Sequence, residues 1–180
     1  MKDFLDLCES RFAVRKFTDE PVSNEDLEYI KSAILLSPSA ANRQPWKFLI
    51  VTSEEGKDKL RTCYDGQWFR TAPMYFVCMK NPLQSWERKE DGKCSDDIDV
   101  AIATEHLCLA AADRGLGTCW VCHFNQDLLK SLFPVQGYEA VAIVPVGHIA
   151  PDCPRAEKDR KSMKELFEDA DCHEMPMMYY

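Results

Sequence analysis

The chain has 180 residues, 46% of them hydrophobic and 29% charged, enough apolar material for one buried core and too little length for two. A net charge of -8 opposes broad contact with nucleic acid or an anionic membrane, and the most basic stretch, residues 155–164, is small enough to suit only a small anion. No apolar run approaches the roughly 20 residues that cross a bilayer, the acid-interrupted start does not read as a signal peptide, and nine cysteines without an export signal read as free thiols in a reducing, cytoplasmic compartment.

Residues 3–9 suit a short helix with Phe4, Leu5 and Leu7 as its apolar contacts. Ser23 followed by Asn24, Glu25 and Asp26 marks a second helix start, a capping hydroxyl ahead of acids in the first turn. Leu27, Ile30, Ile34 and Leu35 then recur on one face until Pro38 ends the helix. Residues 46–52 read as a buried strand, 54–63 as a surface helix, 73–79 as a second strand, and 81–95 as a polar, mobile excursion of the kind that forms lids or binding loops. The strongest helix is 97–114, rich in alanine, with Ile98, Ala101, Ile102 and Leu109 suited to burial; Gly115 caps it. A strand over 118–124, a short helix over 128–132, a strand over 139–146 and a helix over 163–168 follow. The order is not a strict alternation of strand and helix, which makes the class α+β.

Three segments can carry chemistry. Arg11-Phe12-Ala13-Val14-Arg15 spaces two arginines to grip one anion, because guanidinium donates in bidentate pairs and keeps its charge; alone, the pair equally suits a solvated basic turn. Residues 37–46 join a helix to a strand through small side chains that let backbone approach a ligand. Within them, the Asn42 and Gln44 amides can read a ring edge that carries both donors and acceptors; a turn shaped by Pro and Asn is the competing reading. In the basic stretch, an extended backbone turns Lys158 and Arg160 to one side, where a solvated charge run is the alternative.

Taken in order, these segments resemble the nitroreductase family of FMN-dependent oxidoreductases. That family has an R-x-S-x-R-like element, here Arg11 to Arg15, and P-S-A-x-N-x-Q-P-W, matched without a break from Pro38 to Trp46. An alanine-rich helix running into G-L-G-T-C-W is matched from Gly115 to Trp120. A turn at Gly147-His148 and a K-x-R at Lys158 and Arg160 complete the likeness, which covers about residues 4–167. The resemblance implies a three-layer sandwich, helices flanking a mostly antiparallel sheet, assembled as a homodimer with FMN between the subunits. Residues 1–168 would form the FMN-binding domain, and 169–180 a tail that is disordered or packed on the partner subunit.

Carried over by position, Arg11, Phe12, Ala13 and Arg15 would meet the phosphate and ribityl chain together with Lys158 and Arg160. Pro38, Ser39 and Ala40 would approach the ring from the partner subunit, with Asn42 and Gln44 at its edge and Trp120 and Val121 on its other side. Two departures stand out: Ala13 where the family often has serine, and Cys122 where a small residue is common.

The implied activity is NADH- or NADPH-driven two-electron reduction of a nitroaromatic, quinone or related small acceptor, in ping-pong order, with the chemistry on the flavin and no catalytic side chain. A specialised branch such as reductive dehalogenation, a non-catalytic FMN sensor or carrier, and a thiol oxidoreductase using Cys119 and Cys122 are the other readings. The last is disfavoured because residues three apart on a strand face opposite ways. No metal site is expected: the histidines are dispersed, Cys172-His173 lies in the tail, and Asp96, Asp97 and Asp99 read as charge at a helix start.

Overall fold

The strand β2 (Met74–Lys80) carries the sequence MYFVCMK, and every residue of it except Lys80 is buried. Its alternation sorts the side chains by face: Met74, Phe76 and Cys78 enter one apolar cluster, and Tyr75, Val77 and Met79 the other. A strand buried on both sides needs a helical layer on each. The computed structural model, which describes residues 3–170, supplies both.

The sheet has four strands in the order β1-β2-β4-β3, all antiparallel. β1 is Trp46–Val51, β3 is Leu116–Thr118 and β4 is Glu139–His148. One face is covered by α2 (Asn24–Leu35) and α4 (Asp96–Asp113), which supply Ile30, Ile34, Val100, Ala103, Leu107 and Ala111. The opposite face is covered by α3 (Glu54–Arg61) and α5 (Gln126–Leu132) through Leu60 and Leu129, with Phe69 beside them. The short helices α1 (Phe4–Ser10) and α6 (Met163–Leu166) lie at the two ends of the described chain.

Local chemistry fixes the helix ends where expected. Ser23 Oγ accepts from the Asp26 N–H at 3.0 Å at the start of α2. Gly115, at φ +75°, stops α4 in the left-handed region. The expected strands and helices all form, with several shifts. β1 is an edge strand and only partly buried, because one of its sides has no neighbour. The strand expected over 118–124 shortens to Leu116–Thr118. Its line along β4 resumes in one bridge, Val121 to Ile143, after Cys119 and Trp120 leave the ladder. Gly147-His148 is no turn but the end of β4, paired with Gly117 and Leu116. Residues 81–95 are ordered rather than irregular: Glu87 bridges Cys94, and the Ser95 N–H donates to Trp86 O at 3.0 Å, closing a small hairpin.

Some apolar expectations fall on the outside. Phe4, Leu5, Leu35 and Ile98 are exposed, and Ala101, Ile102 and Leu109 only half-buried. α4 turns its 100/103/104/107/108/111 stripe to the sheet, so the 98/102/109 stripe, at equally good helical spacing, is left on the far side. The tail reading for residues 169–180 lies, from 171 onward, outside the described residues. Among the described residues no helix is long and apolar enough to cross a membrane.

Gly117 shows how tightly the sheet edge is built. A Cβ there would sit 2.7 Å from Val14 Cγ2, and Val14 itself is 1% exposed. Gly117→Ala should therefore destabilise the protein by about 1–3 kcal/mol. Val14→Ala in the same chain should recover part of the loss, as read from urea unfolding midpoints.

Candidate functional site

Residues 11–17 form an outer strip on the edge of the sheet. The Arg11 N–H ends α1 on Leu7 O, and its backbone is already extended, at φ −67° and ψ 131°. Val14 N–H donates to Thr118 O at 2.9 Å, Ala13 bridges Thr118 in parallel, and Phe17 bridges Ile149. Strand-like alternation drives Val14 into the core and leaves Ala13 and Arg15 exposed, with Arg11 half-buried beside them. Arg11 thus stands at the end of α1, and Arg15 follows on the extended edge. Arg11 Nε lies 3.0 Å from Glu105 of α4, and the Arg15 guanidinium lies 5.9 Å from the centre of the Trp68 ring.

The distant basic segment returns to this edge. Lys158 Nζ donates to Cys8 O at 2.7 Å and Arg155 to Glu9 O at 3.0 Å, so both serve carbonyls at the C-terminal end of α1. Arg155 also lies over the Phe12 ring at 5.0 Å. Burial, then the charges of Arg11, Arg160 and Arg155, hold the Lys158 ammonium below the usual lysine range. Among the described residues no carboxylate forms a salt bridge with Arg15, Arg155, Lys158 or Arg160, and Arg11 has Glu105 alone. A chain of net charge -8 has gathered several cations here, offset in part by Glu105 paired to Arg11 and by the Glu9 charge near Lys158, which favours holding an anion. Beside them lies a cleft of about 200 Å³ lined by Arg11, Phe12, Arg155, Gly117 and Thr118.

The 39–44 loop is the second element. Ala41, Asn42 and Gln44 all have positive φ, at 49°, 54° and 49°, the non-glycine residues of the described chain that do so. Left-handed backbone on such residues costs on the order of 1–3 kcal/mol each, and persists where surroundings over-determine it. The surroundings are specific: Gln44 N–H donates to Ser39 Oγ at 2.9 Å, and Ala40 N–H to Asp99 Oδ1 at 2.9 Å. Gln44 Nε2 donates to Asn42 Oδ1 at 3.0 Å, leaving the Asn42 amino group and the Gln44 carbonyl oxygen turned to other partners. Pro38, Asn42 and Gln44 are exposed, and Ser39 and Ala40 half-buried.

Trp120 is half-buried against the α4 side of the core, whereas Val121 is 5% exposed, its N–H and carbonyl both engaged with Ile143. Cys119 is buried and Cys122 exposed, and burial pushes the Cys119 thiol up, the reverse of what an attacking thiolate requires. Among the described residues no group of three His, Cys, Asp or Glu side chains is placed to hold a metal ion.

The described chain brings Arg11, Arg155, Lys158 and Arg160 near one another and holds the 39–44 loop as a separate element. Both lean on α4, the cations through Glu105 and the loop through Asp99. Six residues separate these contacts, about 9 Å of rise and about 120° around the axis. Sequence reasoning missed Glu105, Arg155 and Trp68 as neighbours of the arginines, since nothing local marks a partner so far along the chain. It read Asp99 only as helix-start charge.

The nitroreductase family model matches residues 8–63 and 61–148. The chain is 30% identical over 168 residues to a protein of Archaeoglobus fulgidus with the provisional name NADH dehydrogenase/NAD(P)H nitroreductase, a match covering 88% of this chain and 90% of that one. It is 34% identical over 185 residues to an iodotyrosine deiodinase of Thermotoga neapolitana, covering 91% and 96%. A crystal structure of a nitroreductase family protein from Clostridium difficile 630 superposes with a TM-score of 0.86 at 29% identity, covering 93% of this chain and 98% of that one.

The depressed Lys158 predicts the pH dependence of anion binding. Its ammonium must be charged to hold an anion, and it loses its proton earlier than an ordinary lysine. Inorganic phosphate should raise the melting temperature at pH 7, and that gain should fade as pH climbs through a range below about 10.4, the usual lysine value. In Lys158→Met the phosphate effect should be smaller at pH 7 and flatter with pH, as read by differential scanning fluorimetry.

Proposed function

This chain belongs to the nitroreductase family, and from that premise we propose that it is an FMN-dependent oxidoreductase reducing a small organic acceptor at the expense of NADH or NADPH. Proteins of this family typically bind flavin. The observation that carries the reading is the convergence of Arg11, Arg155, Lys158 and Arg160, with Glu105 paired to Arg11. These residues suit a phosphomonoester: a dianion would relieve their mutual repulsion and restore the Lys158 proton affinity.

In this reading residues 1–168 form one flavin-binding domain. Arg11, Arg15, Lys158 and Arg160 hold the phosphate, with Phe12 and Ala13 along the ribityl chain and Ala13 offering no hydroxyl. Pro38, Ser39 and Ala40 present small side chains and backbone to the ring, and Asn42 and Gln44 offer it a donor and an acceptor. Trp120 flanks the ring, and Val121 supports that segment from the core. A bound flavin would supply the two-electron chemistry that links the nicotinamide to the acceptor. The protein orients donor and acceptor at one face in turn, which gives ping-pong order and needs no side-chain acid or base.

The reading includes a homodimer. The 200 Å³ cleft is below the range of about 300–1,000 Å³ that encloses a ligand of this size. The loop and the cations contact α4 about 120° apart around its axis, and in this reading a second copy supplies the loop to the first copy's phosphate site. Exposed Phe4, Leu5, Leu35, Leu36 and Ile98 offer apolar surface for that contact. All the cysteines of the described residues are free thiols, which suits a cytoplasmic setting. The likeness to an iodotyrosine deiodinase favours one further acceptor class, a halogenated phenol from which halide leaves as two electrons and a proton enter.

The purified protein titrated with FMN should gain a flavin spectrum that bleaches anaerobically with NADH or NADPH. A colourless product overturns the flavin reading, and a flavin that neither donor bleaches leaves binding without turnover. Replacing Arg11 and Arg15 together with alanine should weaken FMN binding by at least about 100-fold, two charge-assisted contacts being lost. An unchanged dissociation constant would overturn the phosphate assignment. Acceptor class follows from stopped-flow reoxidation of the reduced protein by a nitroaromatic, a quinone and an iodophenol.

A further inference from the structure

Asp99 is 2% exposed, it lies in the first turn of α4, and among the described residues no salt bridge includes it. The lysine nearest the helix start, Lys80, pairs with Asp96 and Asp97 instead. Burying a carboxylate without a cation is costly unless both oxygens are hydrogen-bonded. Both are. Oδ1 accepts from the Ala40 N–H at 2.9 Å, and Oδ2 accepts from Ser95 Oγ at 2.8 Å. One donor belongs to the strained loop and the other to the base of the 85–95 hairpin, where Ser85 Oγ lies 3.3 Å from Ser95 Oγ.

A helix-start charge explains none of this. The helix dipole favours an acid in the first turn whether or not its side chain bonds to another element, and Asp96, Asp97 and Asp99 all stand there, but Asp99 alone of the three bonds to the 39–44 loop. Asp99 instead supplies a fixed acceptor to the one backbone N–H that precedes Ala41, Asn42 and Gln44 in their left-handed conformations. Without that anchor, the loop has only Ser39 Oγ and its own turn hydrogen bonds to offset the strain. We propose that Asp99 is a positioning residue: its carboxylate holds the 39–44 loop in the shape that meets the flavin ring and ties that loop to the 85–95 hairpin. This rests on the flavin reading above for the loop's ligand, and on the geometry alone for the loop's shape.

The two parts are separable by experiment. Asp99→Leu keeps the volume and removes the acceptor. Asp99→Asn keeps an acceptor for Ala40, and its amino group can donate to Ser95 Oγ once that hydroxyl turns toward Ser85. Amide hydrogen exchange of the full chain without FMN should show residues 40–44 of Asp99→Leu exchanging about ten-fold faster or more, with β2 and β4 unchanged and Asp99→Asn close to wild type. FMN titration should show a dissociation constant about ten-fold weaker in Asp99→Leu, with a displaced visible band for the bound flavin, and recovery in Asp99→Asn.

Unchanged exchange at 40–44 in Asp99→Leu overturns the hold on the loop. A loosened loop with unaltered FMN affinity and spectrum overturns the positioning role. A wild type that takes up no FMN overturns the flavin reading, while the exchange comparison still decides what Asp99 does to the loop. If Asp99→Leu fails to fold, Asp99→Ala removes the same acceptor with a smaller side chain: faster exchange at 40–44 supports the proposal, and no change overturns it.

Discussion

Double-sided burial of β2 and β4 is the constraint from which the rest of the architecture follows. Tyr75, Phe76, Val77 and Cys78 are each fully buried, as are Ala142, Ile143 and Val144 opposite them. Such strands are stable only between two apolar layers, each large buried side chain contributing about 1.5–3 kcal/mol relative to exposure. α2 and α4 cover one face, α3 and α5 the other. Once α4 has committed one stripe to the sheet, its length carries the anchors of both functional elements, Asp99 near its start and Glu105 further along.

The sheet also decides where charge accumulates. The strip that carries Arg11 and Arg15 is held on the outer edge of β3 by Val14, which closes over Gly117. Lys158 and Arg155 are drawn to the same place by carbonyls at the end of α1. Each of these contacts is ordinary in itself. Together they half-bury Lys158 among like charges, and burial first, then those charges, depress it, in a chain whose overall charge is negative. That repulsion is tolerated because helix-end carbonyls and the Phe12 and Trp68 rings share the load.

The 39–44 loop is unfavourable in a different way, in its backbone rather than its charges. Left-handed alanine, asparagine and glutamine in one short segment run against local preference. Conflict of this kind concentrates where function needs a shape that folding alone would not select. The 85–95 hairpin, joined to the loop through Ser95 and Asp99, makes the two segments one hydrogen-bonded unit at the start of α4.

Much of this was legible along the chain. Ser23 and Gly115 announce helix ends through bonds made within a few residues, and the apolar runs at 46–52, 73–79 and 139–146 leave little choice but strand. The unbroken run from Pro38 to Trp46 and the Gly115 to Trp120 element point to the family that the matches bear out. The alanine-rich 97–114 segment shows why the remainder was hidden. It is apolar on more than one side, so spacing alone cannot say whether Ile98 and Ile102 or Val100 and Ala103 face the sheet; the docking of α4 against β2 and α2 decided that. The approach of Lys158 to Cys8 spans 150 positions, and that of Asp99 to Ala40 spans 59. Sequence by itself determined the elements, their capping and the kind of chemistry on offer, because those rest on neighbours within a turn or two. Tertiary structure alone decided which charges meet and which carboxylate is buried, because those contacts exist only once the sheet has brought distant segments to one edge.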